Sequence, residues 1–403
     1  MDLRYSQAYE DFRAEVRAFL AESWPLQGAE AALPRAEQEA LFRERAIARG
    51  YLARGIPRAY GGSEQPPDVL KATIIGEEFA RARAPGEARG IGPAMLVTTL
   101  LEHGSDWQKE KFVPPTMRGE MIWCQGYSEP GSGSDLASLK TRAELVGGEW
   151  LIHGQKIWTT AARQAHYMFC LCRSEPDAPK HAGISYLLVP MQQPGVEVRP
   201  LRQMTGDADF NEVFLNGART PADHIVGRRG EGWIVSRSTL KHERDSIGDA
   251  RQTKILFKGL VRLAGQVQRG GRPAIQDPAI RQRLAELEGY ILAHEYSGYR
   301  QLTCSARGQS PGPVGLMNKL ASTNIQQKAA ALAIDLVGDA ALAAPTGEAR
   351  AMFRGLRESA GWVSQYMWSL GIAIAGGTAN IQRNVIAERG YGLPRDAAAQ
   401  TSS

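Results

Sequence analysis

The spacing of apolar and polar side chains changes twice along the chain. From residue 1 to 118 apolar positions recur at the helical period, from 119 to 225 they alternate with a period of two, and from 226 to 394 the helical period returns. Residues 395–403 lack apolar anchors. The pattern predicts an α+β protein with an N-terminal helical domain, a middle β domain and a C-terminal helical domain, followed by a flexible tail.

Two of the N-terminal helical runs carry recognisable end signals. The amphipathic run "EQEALFRERAIARG" closes on Gly50, a residue suited to the left-handed conformation that ends many helices. The run "DVLKATIIGEEFARAR" begins with Asp68, whose carboxylate can accept bonds from the first free N–H groups of a helix. We therefore predict a helix that ends at Gly50 and a second that is capped by Asp68 and ends near Pro85.

The middle segment consists of short strands separated by turn residues. "TRAELVGGEWLIHG" predicts a hairpin with Gly147-Gly148 at its turn, and four more strand-like runs follow with no helix between them. Short strands at this spacing are typical of a small antiparallel barrel or sandwich. The later helical stretches, 233–268, 278–306, 314–337 and 357–390, are sized for a four-helix bundle.

Composition and charge exclude several classes of protein. Hydrophobic residues make up 43% of the 403 residues and charged residues 23%, which indicates a globular protein rather than a disordered one. The net charge of +5 is spread along the chain without a basic stripe, so neither the charge nor its pattern favours nucleic acid. No apolar run approaches the ~18 residues of a membrane span, and the N-terminus does not resemble a signal peptide. We expect a cytoplasmic protein.

The cysteines and histidines do not form a metal-binding pattern. Cys124, Cys170, Cys172 and Cys304 include no C-x-x-C pair, and no H-E-x-x-H motif is present, so we predict no metal site. Cys170 and Cys172 fall on one face of a predicted strand, where buried thiols behave as small apolar side chains.

The stretch "GYSEPGSGSD" places small and hydroxyl-bearing residues next to one another. Gly131 and Gly133 let backbone amides approach a ligand closely, and Ser128 and Ser134 add hydroxyl donors. That combination suits a pyrophosphate or the polar edge of a flat ring. An ordinary surface turn is the alternative interpretation.

Two further stretches combine aromatic, hydroxyl and glycine residues. In "WLIHGQKIWTTAA" Trp158, Thr159 and Thr160 are expected to end a strand after a Gly-x-Lys turn. Trp158 offers a flat face and Thr160 a hydroxyl, although an isolated Trp is more often a core residue on a strand. In "GGTANIQRNVIAERGYGLP" Gly376-Gly377 leads into a helix with Thr378 near its start, where free N–H groups can meet a ligand. Simple helix capping is the alternative there.

Together these stretches resemble the acyl-CoA dehydrogenase family over nearly the whole chain. "YSEPGSGSD", "GQKIWTTAA" and the C-terminal "GGTANIQRNVIAERGYGLP" are similar to three family signatures, while "LLEHGSDWQKEKFVPPTMRGE" and "VFLNGARTPADHIVGRRGEGW" are similar to the links into and out of the β domain. The resemblance implies the family fold: N-terminal helices, a middle β domain and a C-terminal four-helix bundle, with FAD between the last two. It also implies an acyl-CoA substrate, a dimer or homotetramer, and an electron-transferring flavoprotein as acceptor.

The resemblance also implies roles for individual residues. Residues expected to bind the cofactor are Ser128, Gly133, Ser134, Trp158, Thr160, Thr378 and Asn380. Ser128 would lie at the flavin ring and Ser134 near the pyrophosphate, with Ser134 also contacting substrate.

The catalytic base departs from the commonest pattern of the family. Many members carry a Glu directly before the Gly-Thr of the last signature, where this chain has Gly376, whose backbone N–H can still donate to a thioester carbonyl. A minority, including isovaleryl-CoA dehydrogenase, carries the Glu on the first long bundle helix. There "TLKHERDSIGD" offers Glu243 as base and Arg244 as a substrate contact. A solvated charged helix face is the alternative, and Asp245 lies roughly opposite Glu243.

Two other family features are weak in this chain. Arg269 or Arg272 would replace the arginine that touches FAD across the dimer, and Gly338 would mark the glycine-rich loop. A second hypothesis is therefore a non-catalytic or half-active subunit of a hetero-oligomer. A DNA-binding member of the family is a third and weaker one.

Overall fold

The structure is a computed structural model that describes residues 5–248, 250–342 and 359–394, with the backbone alone at 242–247 and 359–360. The predicted tail, 395–403, lies outside the described residues. Five helices come first: α1 (Gln7–Ser23), α2 (Arg35–Ala48), α3 (Val69–Ala82), α4 (Val97–His103) and α5 (Asp106–Arg118).

Both predicted helix ends in this region are confirmed. The Asp68 carboxylate accepts bonds from the backbone N–H groups of Leu70 and Lys71, 3.0 and 2.9 Å away, and α3 ends at Ala82, shortly before Pro85. Gly50 follows α2 with a φ of 81°, which is the left-handed region where glycine has no steric penalty.

A single curled sheet follows the helices. Its strands are β1 (Trp123–Gly126), β2 (Arg142–Val146), β3 (Glu149–Lys156), β4 (Tyr167–Arg173), β5 (Ile184–Pro190), β6 (Val196–Leu201), β7 (Phe210–Pro221) and β8 (Ile225–Val226), in the order β6-β7-β3-β2-β4-β5-β8. Most neighbours are antiparallel as predicted, but β1 and β2 run parallel to β4. The Gly147-Gly148 hairpin is confirmed between β2 and β3.

The sheet buries side chains on both faces. One face packs Phe169 and Leu188 against the N-terminal helices, and the other encloses a separate core that includes Cys170 and Cys172, both fully buried as predicted. The Thr220 hydroxyl of β7 donates to the Leu188 carbonyl of β5 at 2.6 Å, although three strands separate β7 from β5 in the sheet order. The sheet therefore curls around the second core.

One local prediction in this segment is wrong. Gly154-Gln155-Lys156 does not form a turn, because all three residues lie inside β3 and pair with β7. The register of β3 against β7 shifts between Ile152 and His153, so Gly154 lies beside a β-bulge. Gly154 has a φ of 156°, and a Cβ added to it would lie 2.4 Å from the Thr141 hydroxyl oxygen. The strand also ends at Lys156, so Trp158, Thr159 and Thr160 lie beyond it and do not form its end as predicted.

The C-terminal helices are more broken than the sequence pattern indicates. They are α6 (Gly232–Ile247), α7 (Ala250–Gln266), α8 (Pro278–Ala306), α9 (Val314–Val337), α10 (Ser359–Ile372) and α11 (Ala379–Val385), with a two-stranded ribbon of β9 (Gln268–Arg269) and β10 (Arg272–Pro273) between α7 and α8. The predicted stretch 233–268 is interrupted after α6, and 357–390 is split by the loop at residues 373–378. The boundaries at 118/119 and 225/226 stay predictions.

Within residues 5–248, 250–342 and 359–394, no helix is both long and apolar enough to cross a bilayer.

Candidate active site

The Gly/Ser loop directly after β1 forms a tight turn with an open outer side. Glu129 and Ser132 exchange two backbone hydrogen bonds of 2.8 and 3.0 Å, and the Ser132 hydroxyl donates to the Asp135 carbonyl at 2.8 Å. The turn leaves Gly133 and Ser134 exposed and Ser128 half-buried. The hydroxyl donors predicted at 128 and 134 are therefore accessible.

Two of the loop's glycines are not explained by the chain's own packing. A Cβ added at Gly131 or Gly133 would meet nothing within 4 Å, and neither residue has a φ in the left-handed region. Among the described residues, the N–H groups of Gly131, Gly133 and Ser134 have no hydrogen-bond partner. A row of free amides without side chains fits an anionic or polar ligand lying against the backbone.

A buried ion pair joins this loop to β3. The Lys156 ammonium is fully buried and lies 2.8 Å from the Glu129 carboxylate, and it also donates to the Leu171 carbonyl at 2.8 Å. The same carboxylate accepts the backbone N–H groups of Lys140 and Thr141. Burial by itself raises the pKa of Glu129, but the ion pair and these hydrogen bonds outweigh it and hold that pKa below its usual value.

The ion pair brings the Ser128 and Trp158 segments together. The Ile157 N–H donates to the Ser128 carbonyl at 2.9 Å, so the two predicted cofactor-binding segments are hydrogen-bonded neighbours. Trp158 has a φ of 60° and is 58% exposed, so it is not the buried core residue of the alternative interpretation. Thr160, two residues on, is half-buried.

Aromatic contacts connect this segment to the bundle. The Trp158 ring meets Phe210 of β7 edge to face at 5.9 Å, and Phe210 in turn lies 6.1 Å from Trp368 of α10. The Asn211 side chain donates to the Thr159 carbonyl at 2.9 Å and keeps β7 beside this segment. The sheet and the helical bundle therefore meet close to Trp158.

Several buried polar atoms near this contact have no partner. Among the described residues these are Thr159 Oγ1, Asn211 Oδ1, Trp368 Nε1 and both amide atoms of Gln365, which lies one turn before Trp368. Orphaned buried polar atoms are rare in proteins and mark places where a ligand or water is missing. Together with the free amides of the Gly/Ser loop, they fit a large ligand with polar ring edges and phosphates, as FAD has.

The predicted glycine pair and helix start lie between α10 and α11. Gly376 and Gly377 have φ values of 62° and 96° and are half-buried. The Thr378 hydroxyl caps α11 by accepting the Ile381 N–H at 3.4 Å, and Asn380 is exposed beside Arg383. Thr378 therefore serves as a helix cap, while its half-buried position keeps the predicted cofactor contact open.

The side chains of Glu243, Arg244 and Asp245 lie outside the described part of the structure, but their helix does not. A Cβ at Gly248, just after α6, would lie 3.2 Å from the backbone N of Lys319 in α9. The Lys319 ammonium in turn donates to the Gly377 carbonyl at 2.7 Å. The end of α6 and the loop at residues 373–378, which contains Gly376, therefore both lie against Lys319 of α9.

The residues proposed for the cross-subunit contact also lie close together. Arg269, in the ribbon after α7, donates to the Asp335 carbonyl, three residues before Gly338 at the end of α9. Both Arg269 and Arg272 are exposed, so the structure does not separate them.

Sequence reasoning missed four buried side chains that hold these segments. They are Glu129, Lys156, Lys319 and Gln382. The sequence carried no signal for Lys319, because Ser322, Thr323 and Gln326 on the same helix face are polar and would indicate a solvated face, whereas the structure buries them.

Comparisons with known proteins cover nearly the whole chain. Family models described as the N-terminal, middle and C-terminal domains of acyl-CoA dehydrogenase match residues 6–120, 124–217 and 230–391. Acyl-CoA dehydrogenase IpdE1 of Mycobacterium tuberculosis is 38% identical over 97% of this chain and 99% of its own length.

Two solved structures are similar along their full length. The Tcur3481-Tcur3483 steroid ACAD is 26% identical with a TM-score of 0.75, over 98% of this chain and 100% of that one. The ChsE4-ChsE5 complex from Mycobacterium tuberculosis is 27% identical with the same TM-score and the same coverage.

Proposed function

Because this chain belongs to the acyl-CoA dehydrogenase family, and is thereby an oxidoreductase acting on CH–CH bonds, we propose that it desaturates an acyl-CoA thioester between Cα and Cβ with FAD. The observation that carries the proposal is the hydrogen bond between the Ser128 and Trp158 segments, next to a loop whose N–H groups at Gly131, Gly133 and Ser134 have no partner among the described residues. Bound FAD supplies the acceptor for the hydrogen that leaves Cβ as hydride.

The chain's own residues hold the cofactor and the substrate. Ser128, Trp158 and Thr160 line the flavin ring, and the amides at Gly133 and Ser134 bind the pyrophosphate, with Ser134 also near substrate. Thr378 and Asn380 approach the cofactor from the bundle. The amides and buried polar atoms that lack partners among the described residues support these roles, because a bound cofactor would supply partners for groups of this kind.

Proton removal needs a carboxylate and a donor for the thioester oxygen. Glu243 is the base, Arg244 contacts the substrate, and the Gly376 N–H donates to the thioester carbonyl, which lowers the pKa of the α-proton. Both the end of α6 and the loop at residues 373–378 lie against Lys319, which supports the placement of Glu243 and the Gly376 N–H in one site. Gly376 also has a φ of 62°, where a glutamate would be strained, so a base from another helix is the better fit.

The test of the base is spectroscopic. Without oxygen, a suitable acyl-CoA should bleach the flavin absorbance of the wild-type protein. Glu243→Gln should keep the flavin, but its bleaching should be about a thousandfold slower or more. Asp245→Asn is the matched control and should bleach normally. Bleaching that survives in Glu243→Gln would remove Glu243 from this role.

The substrate class is a bulky, ring-bearing acyl-CoA. The support is similarity to the Tcur3481-Tcur3483 steroid ACAD, together with a base placement compatible with branched, long-chain or ring-bearing acyl groups. A panel of straight, branched, dicarboxylic and steroid-derived thioesters, compared by anaerobic bleaching, tests this. Faster bleaching by straight-chain thioesters would overturn it.

The second candidate function is a half-active subunit of a hetero-oligomer. It is supported by the names of two similar structures, which each join two different chains. Native mass spectrometry of the chain expressed alone separates the hypotheses: a flavin-loaded, active homotetramer or dimer favours the self-sufficient enzyme. An electron-transferring flavoprotein as acceptor and a cytoplasmic location stay predictions.

A further inference from the structure

The loop at residues 373–378 is held by two buried side chains from neighbouring helices. The Lys319 ammonium of α9 donates to the carbonyls of Ala373 and Gly377, at 3.0 and 2.7 Å. The Gln382 amide of α11 donates to the Gly376 carbonyl at 3.0 Å. Both side chains are 2% exposed. Three carbonyls of one short loop are thus fixed by side chains that solvent does not reach.

A held carbonyl fixes the direction of the N–H of the following residue, because each peptide unit is planar. The Gly376 N–H belongs to the peptide unit between residues 375 and 376. The unit before it is held by the Ala375 N–H, which donates to the Gly371 carbonyl at 3.1 Å, and the unit after it is held by Gln382, which donates to the Gly376 carbonyl. The peptide unit that carries the Gly376 N–H is therefore restrained from both sides. Among the described residues the Gly376 N–H has no hydrogen-bond partner. The loop therefore presents a donor that is unpaired within the described residues and that is held between two restrained peptide units.

A rigid donor is what a developing negative charge on a thioester oxygen requires. Hydrogen-bond donors stabilise such a charge best when they do not have to reorient during the reaction. Gly376 and Gly377 have φ values of 62° and 96°, and glycines are free to leave such conformations when nothing holds them. The two buried side chains supply that restraint.

The presence of a buried lysine at position 319 also supports a restraining role. Burying an ammonium is costly unless its hydrogen bonds are satisfied, and an apolar side chain at 319 would fill the space without that cost. The last carbonyls of α10 carry partial negative charge, which an ammonium complements. A Cβ at Gly377 would press on the Gln382 amide at 2.8 Å, so loop and side chain are closely fitted.

We infer that Lys319 and Gln382 are positioning residues that orient the Gly376 N–H toward the thioester carbonyl of the substrate. The inference rests on the proposed function, since it names the residues that prepare one of its donors. Neither side chain contacts the reacting atoms; each acts through the loop.

The restraint itself can be tested without any substrate. Hydrogen exchange of the Ile374 and Ala375 amides, which bond to the Gly371 carbonyl, should speed up roughly tenfold in Lys319→Met, the factor expected for one lost hydrogen bond. Lys328→Met is the matched control, because Lys328 lies on the same helix, is 53% exposed and pairs with Glu286. Unchanged exchange at 374 and 375 in Lys319→Met overturns the restraint.

The direction of the donor is tested with two ligands that differ in one atom. A thioether analogue of an acyl-CoA lacks the carbonyl oxygen, so it cannot use the Gly376 N–H. In the flavin-loaded protein, Lys319→Met should weaken binding of the thioester roughly tenfold and leave the thioether within about twofold. Gln382→Glu, which keeps the size but removes the donor, should behave in the same way.

The outcomes separate this inference from the proposed function. Equal weakening of both ligands means that Lys319 and Gln382 only stabilise the bundle, and it overturns the positioning role. A wild-type protein that binds both ligands equally, with exchange at residues 374–375 raised in Lys319→Met, keeps the restraint but refutes the use of Gly376 as a thioester donor. A wild-type protein that binds neither refutes the acyl-CoA function, and the positioning role with it.

Discussion

At the scale of single residues, the ion pair between Lys156 and Glu129 is central to the candidate site. Its two members come from the two signature stretches that flank the proposed flavin, and both are buried. From the sequence, Trp158 and Ser128 were predicted as site residues because of what their side chains can contact. Their supporting ion pair was missed, because only the fold shows that the loop after β1 and the end of β3 lie side by side.

Replacing one partner of this pair should be far more damaging than replacing both. Lys156→Met leaves the Glu129 carboxylate buried without its cation, and we expect it to lower the free energy of unfolding by about 3–5 kcal/mol. The double variant with Glu129→Gln should recover most of that loss. Urea unfolding of the wild type, both single variants and the double variant measures the coupling. A loss below about 1 kcal/mol for Lys156→Met would contradict the burial of this pair.

At the scale of elements, the break between α6 and α7 decides how α6 meets α9. The sequence pattern predicted one helical stretch there, since hydrophobic periodicity continues through the break. Gly248 lies against α9 so closely that a Cβ would come within 2.8 Å of the Asn318 Cβ. The contact sets the distance between the helix that carries Glu243 and the helix that carries Lys319.

Gly248→Ala should therefore force the two helices apart. We expect a loss of about 1–3 kcal/mol in the free energy of unfolding, the usual cost of overpacking, together with slower flavin bleaching. Gly265→Ala is the matched control: it lies in α7 with nothing within 4 Å, and it should be neutral or stabilise by about 0.5 kcal/mol. Thermal unfolding and stopped-flow bleaching compare the two. Equal stability of both variants would show that the close contact is not constraining.

A second element-scale feature joins α1 to α3. The Glu78 carboxylate of α3 is 2% exposed and is bonded by Arg13 and Arg17 of α1 and by Arg81 of its own helix. Burial alone raises the pKa of Glu78, but the three guanidinium groups outweigh it and lower that pKa to about 2. This carboxylate therefore ties the two helices together in its ionised form.

The pH dependence follows from the direction of that shift. A carboxyl group whose pKa is depressed in the folded state contributes stability above its unfolded pKa, and that contribution is lost as the pH falls through the folded value. We expect Glu78→Gln to lower stability by about 2–3 kcal/mol at neutral pH, and to flatten the loss of stability between about pH 4.5 and pH 2. Urea midpoints measured across that range test it; parallel curves for both proteins would contradict it.

At the scale of the whole molecule, a buried chain of hydroxyl groups connects the three parts. The Thr239 hydroxyl of α6 lies 2.8 Å from that of Thr99 in α4 and 3.5 Å from that of Tyr186 in β5. All three residues are fully or almost fully buried, and none of the hydrogen bonds is local in sequence. The N-terminal helices, the sheet and the bundle are therefore linked at one point, one turn before Glu243 on the same helix.

Thr239→Val should weaken this link without changing the side-chain volume. We expect a loss of about 1–3 kcal/mol, because the Thr99 and Tyr186 hydroxyls stay buried with one partner fewer. Thr253→Val is the matched control, since Thr253 is equally buried and its hydroxyl donates to the Ala250 carbonyl of its own helix, with no other partner among the described residues. Calorimetric unfolding of the two variants compares them. A larger loss in Thr253→Val would show that the link between the parts carries little stability.

The sequence by itself determined the order of helical and β regions, the Asp68 cap, the Gly147-Gly148 turn and the burial of Cys170 and Cys172. Those features depend on side-chain periodicity and on local backbone preferences, which are properties of consecutive residues. Only the tertiary structure decided the long-range features: the Glu129–Lys156 pair, the exposure of Trp158, the helix break at Gly248 and the contacts of Lys319 with the loop at residues 373–378. These depend on residues far apart in the chain, so no local pattern specifies them, and each becomes definite only when the sheet or the bundle that contains it has folded.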